Sequence, residues 1–78
     1  MRLDKFLKVA KVIKRRTVAN EAVTGGRVVV NGKKAKPSYE VKLGDTIEMK
    51  FGDKIVKFEV AFIPEKNNHQ GIEMIKII

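Results

Sequence analysis

The sequence predicts an α+β domain in which two or three short amino-terminal helices pack on a mostly antiparallel sheet of four to five strands. Apolar residues near the amino end recur at helical spacing, Asn31-Gly32 separates two strand-like runs, and 78 residues leave room for one modest core. Hydrophobic residues make up 44% of the chain, which is ordinary for a folded protein and too many for intrinsic disorder. Size excludes a multidomain enzyme.

Leu3, Phe6, Leu7, Ala10 and Ile13 fall at spacings of three and four, predicting one buried side of a first helix, with Arg2, Lys5, Lys8 and Lys11 on its other side. Asp4 lies in the opening turn, where a carboxylate complements the positive end of the helix dipole. Lys14, Arg15 and Arg16 interrupt this pattern and are expected at a helix-helix junction. Val18, Ala19, Ala22 and Val23 then predict a second short helix with Thr17 as its N-cap, ended by Gly25-Gly26 in the left-handed conformation that glycine allows.

Arg27 to Val30, Asn31-Gly32 and Lys33 to Lys36 predict a β-hairpin with a lysine-rich tip and return strand, since Asn and Gly both tolerate the positive φ of a type I′ turn. Pro37-Ser38 breaks the hairpin, and Val41-Lys42-Leu43-Gly44-Asp45 reads as an extended approach to a tight turn. Thr46 to Phe51 alternates, with Ile47, Met49 and Phe51 expected on one face. After Gly52-Asp53, a strand carrying Ile55, Val56, Phe58 and Val60 returns with both faces partly covered. The core is expected over about residues 1–60, followed by a polar loop at 64–71 and a carboxy-terminal edge strand at 72–78.

The net charge of +8 is unevenly spread: residues 1–36 carry 11 basic and 2 acidic side chains, residues 37–78 carry 6 and 7. Charge confined to one half suggests a face that meets a polyanion. Solvated surface lysines give the same count, so the asymmetry needs support from motifs. There is no cysteine, which removes disulfides and thiolate metal sites and favours an intracellular, cytoplasmic address. The amino terminus lacks the apolar stretch of a signal peptide, and no segment nears the ~20 apolar residues of a membrane span.

Catalytic groups are sparse. His69, the one histidine, lies in the polar loop, where a solvated role is expected, and Ser38, the one serine, has no histidine near it in sequence. The carboxylates Asp45, Glu48, Asp53, Glu59 and Glu65 show no metal-ligand spacing, and Gly32-Lys33-Lys34 lacks the rest of a phosphate loop. An enzyme, a metal and a cofactor are therefore not expected. Phe6, Phe51, Phe58 and Phe62 fall in apolar patterns and are expected in the core, which speaks against an aromatic platform for single strands. Recognition of RNA by phosphates and shape fits better, with Arg2, Arg15, Arg16 and Arg27 favoured because guanidinium makes two-point phosphate contacts. A winged DNA-binding module is the rival, but its second helix would offer only Asn20 to base edges.

Arg2-Leu3-Asp4-Lys5-Phe6-Leu7, Lys14-Arg15-Arg16-Thr17-Val18-Ala19, Gly26-Arg27-Val28-Val29-Val30-Asn31-Gly32-Lys33 and Val41-Lys42-Leu43-Gly44-Asp45 occur in this order. Together they resemble the S4 (αL-type) RNA-binding domain, named for small-subunit ribosomal protein four, over roughly residues 1 to 60. Within that family the chain is similar to the short stand-alone members of bacterial ribosome-associated quality control, the RqcP type, and to the heat-shock protein fifteen group. The resemblance implies an S4-like fold and a monomeric, ribosome-associated factor that binds large-subunit rRNA and peptidyl-tRNA. It also implies support for an RqcH-type partner during template-free alanine addition, with general ribosome-assembly or heat-shock RNA binding as the alternative. By the same resemblance Arg2 and Arg16, with Asp4, Lys5 and Arg15, would form the RNA face, Asp4 orienting an arginine. Lys8, Lys14, Thr17, Arg27, Lys33 and Lys34 complete the expected RNA-binding set.

Overall fold

A computed structural model describes residues 1–63 and 74–78. Two helices, α1 (Leu3–Val9) and α2 (Arg16–Thr24), precede β1 (Val28–Val30), β2 (Lys33–Lys34), β3 (Thr46–Phe51), β4 (Lys54–Val60) and β5 (Ile75–Ile77). The strands form one sheet in the order β2-β1-β3-β4-β5, every neighbouring pair antiparallel. The expected α+β architecture is thus observed.

Register explains the core. Val30, Ile47 and Phe58 lie opposite one another across β1, β3 and β4, as do Val28, Met49 and Val56 one step along. Because side chains alternate between faces, these rows point to one side, where they meet Leu3, Phe6 and Leu7 of α1 and Ala19, Ala22 and Val23 of α2. Phe6 and Phe58 are fully buried, and each such side chain contributes about 2–3 kcal/mol by leaving water. On the other face the cross-strand pairs Glu48 with Lys57 and Glu59 with Lys76 match opposite charges. Ile55 is exposed on β4, so the expected cover over both faces of that strand is incomplete at that end.

α1 is shorter than the apolar spacing predicts. It ends at Val9, and the chain turns out of the helix with Lys11 at φ 63°. The Lys11 N–H donates to the Lys8 carbonyl at 2.9 Å and the Val12 N–H to the Leu7 carbonyl at 3.1 Å, the paired bonds of a Schellman termination. Ile13 still reaches the core, though from the connection and not from the helix. α2 ends in the same motif: the Gly26 N–H donates to the Val23 carbonyl and the Arg27 N–H to the Ala22 carbonyl. Gly26 takes the left-handed position at φ 78°, while Gly25 remains at φ −76°.

The start of α2 also differs from expectation. Arg15 is its N-cap, with no side-chain capping bond, and Thr17 lies inside the first turn. Helical geometry thus begins one residue before the hydroxyl that would have capped it. Asn31 and Gly32 have φ of 52° and 79°, as the type I′ hairpin requires. Phe51 shares the register of the core face but is 46% exposed, because β3 runs past the end of the core. β5 pairs at the sheet edge as expected, whereas Ile72, Glu73, the 64–71 loop and His69 lie outside the described residues.

Residues 37–45 stitch the sheet to the start of α1. The Leu3 N–H donates to the Tyr39 carbonyl at 2.8 Å, the Asp4 N–H to Pro37 at 3.2 Å, and the Val41 N–H to Met1 at 3.0 Å. Buried Asp45 closes this segment. Its carboxylate accepts the Asn31 amide at 3.0 Å, the Tyr39 hydroxyl at 2.8 Å and the Lys42 N–H at 2.9 Å. Burial would raise the Asp45 pKa, but these bonds together with the Lys42 charge outweigh it and hold the carboxyl below its ordinary value. The Tyr39 hydroxyl is pushed up, first by its bond to Asp45, then by burial and by the Asp45 charge.

Candidate nucleic-acid interface

Arg2 is the N-cap of α1, Asp4 lies in the first turn, and Arg16 opens α2 with Asn20 one turn further on. Residues four apart share a helix face, so α2 presents Arg16 and Asn20 together toward α1. They meet at Asp4, which is 2% exposed. Arg2 donates from Nε to Oδ1 and from Nη2 to Oδ2, each at 3.2 Å, making a two-point pair. Arg16 Nη2 donates to Oδ1 at 3.5 Å, Asn20 Nδ2 to Oδ2 at 3.4 Å, and the Lys5 N–H to Oδ1 at 2.8 Å.

A carboxylate buried this far would ordinarily resist ionisation. Desolvation does push its pKa up, yet the Asn20 and Lys5 hydrogen bonds and the charges of Arg16 and Arg2 outweigh it, leaving Asp4 below its ordinary value and anionic at neutral pH. The arginine side chains are 49% and 46% exposed. Each guanidinium therefore spends one edge on Asp4 and turns the rest to solvent, so the pair is held in place while N–H donors remain free for an anion.

Around this pair the surface forms two adjoining hollows. Arg2, Asp4, Arg16, Thr17, Asn20 and Glu21 line one. Lys5, Lys8, Val9 and Lys11 line the other, and Arg16 belongs to both. The structure thus brings together Arg2, Asp4, Lys5, Lys8, Arg16 and Thr17 of the expected set. Lys14 and Arg15 are exposed on the connection and line neither hollow. Arg27 borders a separate hollow beside Lys50, and Lys33 and Lys34 lie on the edge strand β2. Arg27, Lys33 and Lys34 stand apart because charge counted along the chain is distributed over several elements once it folds.

Asn20 and Lys11 belong to this surface although the expected RNA-binding set omits them. Asn20 is marked in the sequence as the fourth residue after Arg16; Lys11, expected on the basic side of α1, sits instead on the turn that ends it. Among the described residues, no group of three or more His, Cys, Asp or Glu could hold a metal ion, and no helix is long and apolar enough to cross a membrane. The arrangement is a fixed cationic surface with one buried anion beneath it. The chemistry of such a surface suits the positioning of phosphates.

Residues 1–47 match the S4 domain family. The chain is 49% identical to the RQC P-site tRNA stabilizing factor of Listeria monocytogenes, covering 100% of this chain and 86% of that protein. It is 53% identical to the protein of the same name from Bacillus subtilis, over 77% of this chain and 70% of that one. A solved trimeric structure of Vibrio cholerae heat shock protein 15 superposes with a TM-score of 0.88 at 30% identity, covering 100% of this chain and 81% of that one. The matched segment contains both helices, the β1–β2 hairpin and every ligand of Asp4, and on this ground the chain belongs to the S4 domain family.

Proposed function

We propose that this protein is a non-enzymatic, ribosome-associated RNA-binding factor of the cytoplasm that lays its Arg2–Arg16 face on large-subunit rRNA and peptidyl-tRNA. It holds the tRNA at the P site by phosphate contacts, as a monomer, while an RqcH-type factor adds alanine to the stalled nascent chain without a template. The observation that carries this reading is the buried Asp4, which fixes two half-exposed arginines beside Lys5, Lys8 and Lys11. The names of the Listeria and Bacillus relatives support the choice of tRNA and of quality control. Asn20 supports RNA over a winged DNA module, because its amide is engaged by Asp4 and its carbonyl by Thr24, leaving α2 poorly equipped to read bases.

Sedimentation with split large subunits tests this. Binding should need bound peptidyl-tRNA for full strength, and affinity should fall with salt at a log-log slope of about −0.7 to −0.9 per phosphate. Arg16→Ala should weaken binding and flatten the slope by about one phosphate while moving the melting temperature little, since a half-exposed ion pair contributes under about 1 kcal/mol. A slope near zero, or equal loss of folding and binding in Arg16→Ala, refutes the proposal. Binding indifferent to tRNA favours the heat-shock or assembly role, to which the Vibrio likeness points.

A further inference from the structure

α2 has a second working side. Arg16 and Asn20 face Asp4, whereas Val18 and Ala22 border a different hollow that lies between the α1–α2 connection and the ends of β1 and β3. Its apolar lining includes Val12, Val18 and Phe51, and Val18 and Phe51 are each 46% exposed. At this strand end Phe51 leaves nearly half of its surface in water. Two cations, Arg27 and Lys50, flank it, and among the described residues no acidic side chain lines the hollow.

Local geometry fixes the backbone that carries these cations. The Schellman termination of α2 ties the Arg27 N–H to Ala22 at 3.0 Å, and the Lys50 N–H donates to the Arg27 carbonyl at 2.9 Å, so positions 27 and 50 are held side by side at the sheet end where Phe51 lies, and both residues border the hollow. The hollow measures about 320 Å³, the lower end of the range for small-ligand sites. A flat apolar group carrying negative charge at its border satisfies all of these features.

We propose that this hollow accepts one unpaired nucleobase of an RNA, stacked on Phe51, with the flanking phosphates held by Arg27 and Lys50. The site rests on the RNA reading above but uses none of the residues around Asp4. It gives the molecule a means of selecting RNA by an extruded base, which the phosphate-holding face does not offer. It also accounts for Arg27, which stands apart from the Arg2–Arg16 surface.

The test uses the full chain and three RNA hairpins of equal length: one fully paired, one with a single bulged 2-aminopurine, and one with an abasic bulge. The wild type should bind the 2-aminopurine hairpin roughly tenfold more tightly than the other two, in the lower part of the range for base–aromatic stacking, and binding should quench the probe's fluorescence. Phe51→Ala should remove that preference and the quenching while keeping paired-hairpin affinity and its salt slope. Val18→Ser, a milder change at an exposed position, should reduce both in part. Arg16→Ala should weaken all three hairpins alike and keep the preference.

Salt-dependent binding of all three hairpins by the wild type without preference overturns the base site and leaves the Arg2–Arg16 face standing. Absence of binding to every hairpin overturns both. Self-association that Phe51→Ala abolishes, seen by analytical ultracentrifugation, overturns the base site in favour of a second copy covering this surface.

Discussion

Asp4 and Asp45 are both buried carboxylates, both hold several donors, and both are kept below the ordinary aspartate pKa, yet they serve different ends. Asp45 takes its donors from an amide, a phenol and a backbone N–H. All are spent inward, and the result is a clasp joining the β1–β2 hairpin to the segment that pairs with the start of α1. Asp4 takes two of its donors from arginines whose remaining edges stay in water. The same anion thus makes a staple when its partners are neutral and an anchored grip when they are cationic.

Substituting each aspartate sharpens the contrast. Asp45→Ala strands the Asn31, Tyr39 and Lys42 donors, and denaturant unfolding should show a loss of about 3 kcal/mol, with Tm down by about 12–24 °C. The chain that remains folded should bind RNA as before. Asp4→Asn should cost less, about 1–2 kcal/mol, because the freed arginines can turn to solvent. Its affinity for large subunits should nevertheless fall, although net charge rises by one. Tighter binding by Asp4→Asn would mean that bulk charge, and not held geometry, governs recognition.

The smallest effect is in the acid limb of stability. Both carboxyls have folded pKa values below that of the unfolded chain, about 3.9, so their contribution is complete above roughly pH 4 and is lost as pH falls through the lower folded values. Urea unfolding followed from pH 6 to pH 2 should therefore show falling stability below about pH 4 in the wild type. The fall should be shallower in Asp4→Asn and in Asp45→Ala. An unchanged acid limb in both variants would assign the acid sensitivity to other carboxylates.

Local chemistry was readable where neighbours in sequence are neighbours in space. Asn31-Gly32 had to turn with positive φ, and the alternation of Ile47 and Met49 marked the buried face. The spacing of Leu3, Phe6, Leu7 and Ile13 identified core residues correctly but overstated the helix, because burial periodicity does not reveal that Lys11 turns the chain after Val9. The motif resemblance indicated that Asp4 orients an arginine, but not that it holds two along with Asn20. Arg16 and Asn20 lie 12 and 16 residues away and depend on how α2 crosses α1. Phe51 followed the alternation and still ended in solvent, since a pattern of faces does not show where the core stops.

At two helix ends the same Schellman turn is built from different residues, Gly26 in one and Lys11 in the other. A lysine in that conformation carries a backbone penalty of about 1–2 kcal/mol that glycine avoids. Lys11 borders the basic hollow with Lys5, Lys8 and Arg16, so relieving the penalty with glycine would also delete a cation from that surface. An engineer seeking heat tolerance and one seeking tighter ribosome attachment would therefore choose opposite residues at position 11.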